Sequence, residues 1–210
     1  MMATTAHDAG LQGRAWAPSR IRVHERGDPH RRGVEAFIQA VYDQRFGAQL
    51  TDFAPTLVAL WEGNNLVAAA GYRSAATGPL FLERYLAQPV DRMLQDQTAN
   101  GPARRQIVEV GHLAAMRAGE GRRLVLMLGP HLGEHGYEWV VSTFTGRLRQ
   151  LLRRIGIVPL TLGVADPARL GDDARHWGSY YDHSPLVLAG HLPKAMRHIA
   201  RYAASTGMAS

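Results

Sequence analysis

Residues 106–135 read QIVEVGHLAAMRAGEGRRLVLMLGPHLGEH and contain, in order, an apolar run, a glycine-containing turn and a helical apolar pattern. The run over 106–113 predicts a β-strand, because short apolar runs bounded by turn residues are typical of buried strands. Gly119-Glu120-Gly121 predicts a turn. From Arg122 to His135, leucines and a methionine recur at three- and four-residue spacing, which predicts an amphipathic helix. The stretch therefore predicts a strand–turn–helix unit.

The same unit recurs on the C-terminal side of this stretch. The pattern predicts a strand over 138–144, a helix over 146–155 and a strand over 157–164, and a final helix over 192–204. A further helix over 90–98 precedes the unit. Strands that alternate with helices need crossover connections, so part of the sheet is expected to be parallel.

The N-terminal side adds a strand, a helix and a hairpin. A short strand is expected over 21–24, followed by a helix that starts at Asp28-Pro29 and stops at Gly47. Apolar runs over 56–61 and 66–73 flank a Glu-Gly-Asn-Asn turn and predict a β-hairpin. Because a hairpin is antiparallel, the sequence predicts an α/β (α+β) fold with a mixed central sheet flanked by helices.

Length and composition predict one domain. A chain of 210 residues with 46% hydrophobic residues can bury a single core, so one domain is expected over 20–205. Residues 1–19 are small, polar and interrupted by glycine and proline, which predicts a disordered tail. The sequence has no run of about 18 apolar residues and no secretory signal pattern in its first twenty residues. We therefore expect a cytoplasmic protein without stable membrane insertion.

The formal net charge of +6 favours an anionic partner: a phosphate-bearing cofactor, an acidic carrier protein, nucleic acid or a lipid surface. Lys194 is the only lysine, and a GC-rich genome would produce the same excess of arginine without selection for binding. No basic run exceeds a pair, so no nucleic-acid partner is expected. The absence of cysteine excludes disulfides, a thiolate nucleophile and cysteine-bound zinc.

The predicted order of elements is similar to that of the N-acetyltransferase superfamily. The resemblance implies a splayed central sheet and a loop, at the start of a helix, whose backbone amides receive the pyrophosphate of coenzyme A. Met116 stands where the superfamily pattern has its first polar residue, and a plain strand-to-helix turn is the alternative interpretation. The residues expected to bind the donor phosphates are Arg117, Gly119, Gly121, Arg122 and Arg123.

Several unusual sequence words, spread in one order over residues 34 to about 192, resemble the thermostable hemolysin family. Its members look like distant relatives of acyl-homoserine-lactone synthases, which take acyl groups from acyl-carrier protein. The words are residues 37–42 with 45–48, Gly71-Tyr72-Arg73, 79–86, Ile107-Val108-Glu109-Val110-Gly111-His112-Leu113-Ala114, 136–139 and Trp177-Gly178-Ser179-Tyr180-Tyr181.

The resemblance implies an acyltransferase. Its co-substrate would be an acyl-CoA or acyl-carrier-protein thioester, with no permanently bound cofactor and with a small-molecule amine or hydroxyl acceptor. In the lactone synthases an arginine on a central strand is followed by a strand carrying Glu, two residues and Arg. Arg73 and Glu109 match the first two positions, but His112 occupies the third, which argues against a lactone-forming substrate.

Glu109 and His112 are the first candidate catalytic residues. Burial of Glu109 in an apolar strand would raise its pKa toward the range of a general base. The alternative is a structural carboxylate paired with Arg73 or Arg105, and His112 fits a core histidine equally well. In a regular strand the two side chains face opposite sides, so both line one site only if a bulge at Gly111 redirects the chain.

Tyr180 and Tyr181 are candidate acids that would protonate the departing thiolate, with simple packing as the alternative. Other side chains in these words are expected to contact substrate. They are Phe37, Tyr42, Phe46, Arg73, Phe81, Glu83, Thr143 and Trp177.

Three features of the sequence bear on functions other than acyl transfer. The word His131-Leu132-Gly133-Glu134-His135 matches the inverted zinc-peptidase motif, but no third ligand is evident, so no metal site is expected. A membrane-active protein is a second alternative, although no amphipathic helix is free of the predicted core. A non-catalytic binding module with the same fold is the third.

Overall fold

The computed structural model describes residues 19–98 and 101–205. The expected tail lies outside these residues except for Ser19, which begins the first strand. Short 3-10 helices occur between several of the main elements. The strands and helices are β1 (Ser19–His24), α1 (Arg31–Phe46), β2 (Thr56–Glu62), β3 (Asn65–Ser74), α2 (Val90–Gln97), β4 (Ile107–Ala115), α3 (Glu120–Glu134), β5 (Trp139–Phe144), α4 (Gly146–Arg154), β6 (Leu160–Val164), β7 (Leu186–His191) and α5 (Leu192–Ser205).

The strands form one seven-stranded sheet in the order β1-β2-β3-β4-β5-β7-β6. Strands β4 and β5 pair in parallel, and the other neighbours in the described chain pair antiparallel. The mixed sheet expected from the hairpin and the crossover units is therefore confirmed.

Strand β7 is missing from the order that the sequence predicts, although it inserts between β5 and β6. Its sequence, LVLAGH, follows Pro185 and is too short and too uniformly apolar for periodicity to separate a strand from a buried helical turn. The segment is fixed as a strand by its pairing with β5 over six residue pairs, a tertiary contact that the local sequence does not show.

Helix α1 begins two residues later than the Asp28-Pro29 signal predicts. The Asp28 carboxylate accepts a hydrogen bond from the His30 amide at 2.7 Å and a second contact from the His24 ring at 3.0 Å. These bonds hold the segment in a turn, so the helix starts at Arg31.

Helices cover both faces of the sheet. Leu124, Leu128 and Leu132 of α3 are buried at four-residue spacing against β3 and β4, and burial of each contributes about 2 kcal/mol. Helix α1 packs on the opposite face through Val34, Ile38 and neighbouring residues. None of the helices in the described chain is long and apolar enough to cross a membrane.

The sheet opens between its two central strands. The parallel pairing of β4 and β5 runs from Ile107 opposite Trp139 to Glu109 opposite Val141 and stops there. Strand β4 continues to Ala115 alongside β3 only. The two strands therefore diverge beyond Glu109, and this divergence positions the candidate site.

Candidate active site

A β-bulge redirects β4 just beyond the last residue that pairs with β5. Gly71 of β3 pairs with Gly111, whereas Ala69 pairs with Ala114, so β4 contains one extra residue between these pairs. His112 lies in this bulge with φ of 53°, a backbone conformation that is uncommon outside glycine. The structure thus contains the bulge that Glu109 and His112 need in order to face one cavity.

His112 packs over Gly71 in the word Gly71-Tyr72-Arg73. A Cβ atom on residue 71 would lie 3.2 Å from His112 Nδ1 and 2.7 Å from the Ala54 Cβ, so only glycine leaves room for the ring. The ring also rests on Phe53, with centroids 5.5 Å apart. Burial lowers the pKa of His112 to about 4. The imidazole is therefore neutral at pH 7, and its buried Nδ1 has no hydrogen-bond partner in the described chain.

Both carboxylate oxygens of Glu109 accept backbone hydrogen bonds. The amides of Phe81 and Leu82 donate to them at 2.8 and 2.9 Å. Burial raises the pKa of Glu109, and these two bonds oppose that rise. Among the described residues, neither Arg73 nor Arg105 forms an ion pair with Glu109; Arg73 lies opposite it on β3 and contacts Asp52 at 3.6 Å.

A cavity of about 280 Å³ lies under the divergence and contains charges of both signs. We call it the inner cavity. Thr143 contributes a buried hydroxyl that has no hydrogen-bond partner among the described residues. The predicted site residues that line the inner cavity are Tyr42, Arg73, Phe81, Glu109, His112, Thr143, Trp177 and Tyr180.

A larger cavity of about 460 Å³ lies at the open end of the divergence, between α1, α4 and the loop before α3. We call it the outer cavity. Its lining contains five arginines and, among the described residues, no carboxylate. The arginines are Arg45, Arg117, Arg122, Arg147 and Arg154.

The loop before α3 has one backbone amide that is already hydrogen-bonded and an arginine nitrogen that has no partner in the described chain. Gly119 caps the helix with φ of 93°, which glycine adopts without strain. The side chain of Glu120 is buried, and its carboxylate accepts the Arg117 amide at 2.7 Å, so one loop amide is already occupied. The Nε of Arg122 is buried without a hydrogen-bond partner in the described chain. A phosphate would therefore meet arginine side chains here as well as backbone.

Tyr42 and Tyr180 border both cavities. Their rings stack with centroids 6.4 Å apart, and the Tyr180 hydroxyl donates to the Thr143 carbonyl at 2.9 Å. Burial raises the pKa of Tyr180 well above its usual value. Tyr181 lines neither cavity; its hydroxyl is 2.6 Å from that of Tyr85, and burial raises its pKa to about 12.

Four predicted site residues lie outside both cavities. Besides Tyr181, Phe37 packs in the core beneath α1, and Arg123 pairs with Glu62 and Ser19. Glu83 pairs with Arg104 at 2.7 Å and accepts the amides of Leu80 and Val90, and these bonds lower its pKa despite burial. Gly119, Gly121, Arg117, Arg122 and Phe46 do line the outer cavity.

Several lining residues were not predicted. Arg45 belongs to a word that carries the family resemblance, and its guanidinium donates to the Ala115 carbonyl. Arg147 and Arg154 stand seven residues apart on α4, a spacing that places them on one face of a helix. Asp52 and Arg84, at the inner cavity, come from loops that carry no periodic signal.

The histidines of the zinc-peptidase word make other contacts. His131 is 3.2 Å from the Tyr72 hydroxyl, and His135 is 2.7 Å from the His131 carbonyl oxygen. No group of three histidine, cysteine or carboxylate residues in the described chain is placed to hold a metal ion.

Comparisons with known proteins agree with this architecture. A family model described as thermostable hemolysin matches residues 24–196. A search of curated protein sequences finds no match. Among solved structures, the chain is similar to FeeM, an N-acyl amino acid synthase from uncultured soil microbes, with a TM-score of 0.60 and 15% identity over 85% of this chain and 93% of that one.

Two other solved structures share the fold. The acyl-homoserine-lactone synthase LasI has a TM-score of 0.56 and 12% identity over 84% of this chain and 91% of its own. A putative N-acetyltransferase from Lactobacillus plantarum has a TM-score of 0.52 and 11% identity over 83% of this chain and 98% of its own. At these identities the likeness concerns the fold, and the expected N-acetyltransferase-like sheet is confirmed.

Proposed function

We propose that this chain, which belongs to the thermostable hemolysin family, transfers an acyl group from a thioester to a small amine or alcohol. One observation carries the proposal. The pairing of β4 and β5 ends at Glu109, and the resulting divergence lies between an arginine-lined outer cavity and an inner cavity that contains the half-buried Glu109 carboxylate.

The outer cavity is suited to the thioester donor. Acyl-CoA and acyl-carrier protein both carry phosphate, and a lining of five arginines without a carboxylate among the described residues attracts phosphate strongly. Arg117 and Arg122 stand at the N-terminus of α3, where the helix dipole adds to their attraction. The donor's thioester would then lie at Tyr42 and Tyr180, where the two cavities meet.

The inner cavity is suited to the acceptor, with Glu109 as general base. Its raised pKa makes the carboxylate a better proton acceptor than an exposed glutamate. Each carboxylate oxygen keeps a lone pair beyond its backbone hydrogen bond. Glu109 takes the proton as the acceptor nitrogen or oxygen attacks the carbonyl. The C–S bond then breaks, and the leaving thiolate takes one proton, either from the protonated Glu109 or from the Tyr180 hydroxyl, which Glu109 then restores; the products are the acylated acceptor and a free thiol.

Backbone amides of β4 would stabilise the oxyanion formed in this attack. Beyond Glu109 the strand has no pairing with β5, and the bulge at His112 interrupts its pairing with β3. In enzymes one such donor contributes about 3 kcal/mol to the transition state. The neighbours FeeM and LasI are described as an N-acyl amino acid synthase and an acyl-homoserine-lactone synthase, which supports acyl transfer on this fold.

The test is a panel of acyl-CoAs and acyl-carrier proteins of several chain lengths, each incubated with pooled amines, amino acids and alcohols. Mass spectrometry should detect an acylated acceptor that requires both the protein and the thioester. If no donor is consumed and none raises the melting temperature, the proposal is wrong. Leakage of lipid vesicles caused by the protein alone would then favour the membrane-active alternative.

A further inference from the structure

A third cavity, of about 100 Å³, lies on the face of the sheet opposite the inner cavity, under α3, α4 and α5. Its walls are almost entirely apolar. We call it the apolar slot. The residues that line it from the sheet are Val110, Val140, Ser142, Phe144, Leu188 and Gly190.

The slot and the inner cavity lie back to back because side chains alternate along a strand. On β5, Thr143 lines the inner cavity, whereas Ser142 and Phe144 line the slot. The Ser142 hydroxyl donates to the Val110 carbonyl at 2.8 Å, one residue beyond the last backbone pair of β4 and β5. This bond occupies the serine hydroxyl, so the slot offers an apolar surface to a ligand. Because Val110 is next to the last backbone pair, the slot begins at the divergence.

Helices α3 and α4 contribute residues both to the slot and to the outer cavity. On α4, Leu148 and Leu151 line the outer cavity, and the next residue, Leu152, lines the slot. On α3, Arg122 lines the outer cavity and Val125, one turn later, lines the slot. Val110 of β4, one residue beyond the last pair with β5, lines both the inner cavity and the slot, so the reacting end of a molecule held by its phosphates in the outer cavity would lie next to an apolar space.

We propose that the apolar slot holds the hydrocarbon chain of the transferred acyl group, so that the donor is an aliphatic acyl thioester longer than acetyl. This inference rests on the proposed acyl transfer. The inner cavity is a poor site for the chain, because it contains Glu109, Arg73 and His112, whose polar groups an alkyl chain would desolvate. The slot carries no charged side chain among its described lining residues.

The volume of the slot sets the length of the chain. The slot is much smaller than the outer and inner cavities, so it has room for a few methylene groups and not for a long alkyl tail. With the carbonyl carbon and its neighbour in the divergence, we expect the preferred acyl chain to be longer than acetyl but of limited length.

Two residues limit the slot. A Cβ atom on Gly190 would meet nothing closer than the Val140 carbonyl oxygen at 3.9 Å, so a side chain there would grow into empty space. Met196 of α5 closes the slot against α3, where a Cβ on Gly129 would lie 2.7 Å from its sulfur. Methionine is flexible, and its replacement by alanine would lengthen the slot.

The experiment measures kcat/KM for straight-chain acyl thioesters of two to ten carbons. Gly190→Val should lower the preference for hexanoyl over butanoyl by about tenfold or more, because a pocket that lacks room for one methylene discriminates by that amount. Met196→Ala should move the optimum toward longer chains. General destabilisation would not shift the two optima in opposite directions. Gly163→Ala, in β6 and outside all three cavities, is the control for loss of a strand glycine.

Other results overturn the inference in distinguishable ways. A wild-type optimum at acetyl, or an optimum that neither variant moves, excludes the slot as the acyl site and leaves acyl transfer intact. If no thioester reacts, the proposed function fails, and the slot is tested with 1-hexanol as probe. We expect 1-hexanol to raise the melting temperature of the wild type but not of Gly190→Val; no stabilisation of the wild type would contradict an alkyl-binding slot.

Discussion

The outer and inner cavities meet at Tyr42 and Tyr180 but differ in how they are charged. The outer cavity is open and lined by arginines, with no carboxylate among the described residues. The inner cavity combines Glu109 with Arg73 and half-buries both Glu109 and His112, whose pKa values are shifted in opposite directions by partial loss of solvent. In the proposed function the outer cavity attracts the anionic donor from solution, whereas the inner cavity controls the position of a proton.

Among the substitutions in the two cavities, removal of the Glu109 carboxylate should have the largest effect on turnover. Glu109→Gln keeps the size of the side chain and removes the proton acceptor, so transfer should fall by about 10²- to 10⁴-fold in kcat. The wild type should also lose activity in acid at a pH above that of an ordinary carboxylate, since the pKa of Glu109 is raised and only its ionised form is a base. A pH–rate profile of both proteins checks this.

Glu83→Gln is the matched control. Like Glu109, Glu83 accepts two backbone amides, those of Leu80 and Val90, but it lies outside the cavities. It should lower the melting temperature through loss of its ion pair with Arg104, keep turnover, and move the acid limb only slightly to lower pH, because the Glu83 charge is the smallest of the causes that act on the pKa of Glu109. Equal loss of turnover in both variants would reduce Glu109 to a structural role.

Removal of two arginines should weaken donor binding by a smaller factor. Arg117→Ala combined with Arg122→Ala should raise KM for acyl-CoA by about 100-fold, because a charge-assisted hydrogen bond contributes about 1.5 kcal/mol or more. KM for an acyl-pantetheine that lacks the nucleotide phosphates should change little. Arg123→Ala is the control, since Arg123 pairs with Glu62 outside the cavity. A similar rise for both donors would contradict a phosphate site.

The two neighbouring tyrosines should behave differently. Tyr180→Phe removes a hydroxyl at the junction of the cavities and should lower kcat by about tenfold, through loss of a donor that orders Thr143 or protonates the thiolate. Tyr181→Phe should change the melting temperature and have little effect on kcat, because Tyr181 itself lines neither cavity; its hydroxyl contacts that of Tyr85, a residue of the inner-cavity lining. Equal kinetic effects would indicate that position relative to the cavities does not matter.

The last effect concerns stability and pH, not turnover. The pKa of His112 falls from 6.5 to about 4 on folding, so the neutral ring stabilises the fold above pH 6.5 and this contribution is lost as the pH falls toward 4. The loss amounts to about 3 kcal/mol. His112→Asn, which tolerates positive φ, should show a flatter free energy of unfolding between these pH values in denaturant titrations. An unchanged slope would mean that His112 titrates normally.

The sequence predicted those features of the two cavities that depend on local sequence pattern. The glycine turn before α3 and the apolar strand around Glu109 were evident, and four of the five predicted phosphate-binding residues line the outer cavity. Arg123 was misplaced because its partner, Glu62, belongs to a distant hairpin. Strand β7 and the inner-cavity residues Asp52 and Arg84 were missed because their positions depend on pairing and packing between segments far apart in the chain.

The bulge at His112 is another feature that the local sequence does not predict. The sequence required a bulge for Glu109 and His112 to share a cavity, but it did not reveal one. The register with β3, in which Gly71 accommodates the ring, fixes the bulge. Such a feature follows from contacts between strands and has no signature within either strand alone.

The most direct test of acyl transfer between the two cavities is to measure both products of the reaction in the same sample. Free thiol release and acylated acceptor should be measured together, with and without acceptor, on the best donor from the panel. We predict one thiol released per acceptor acylated and almost no release without acceptor. Thiol release that is independent of the acceptor, or no release with any donor, would contradict acyl transfer between the outer and inner cavities.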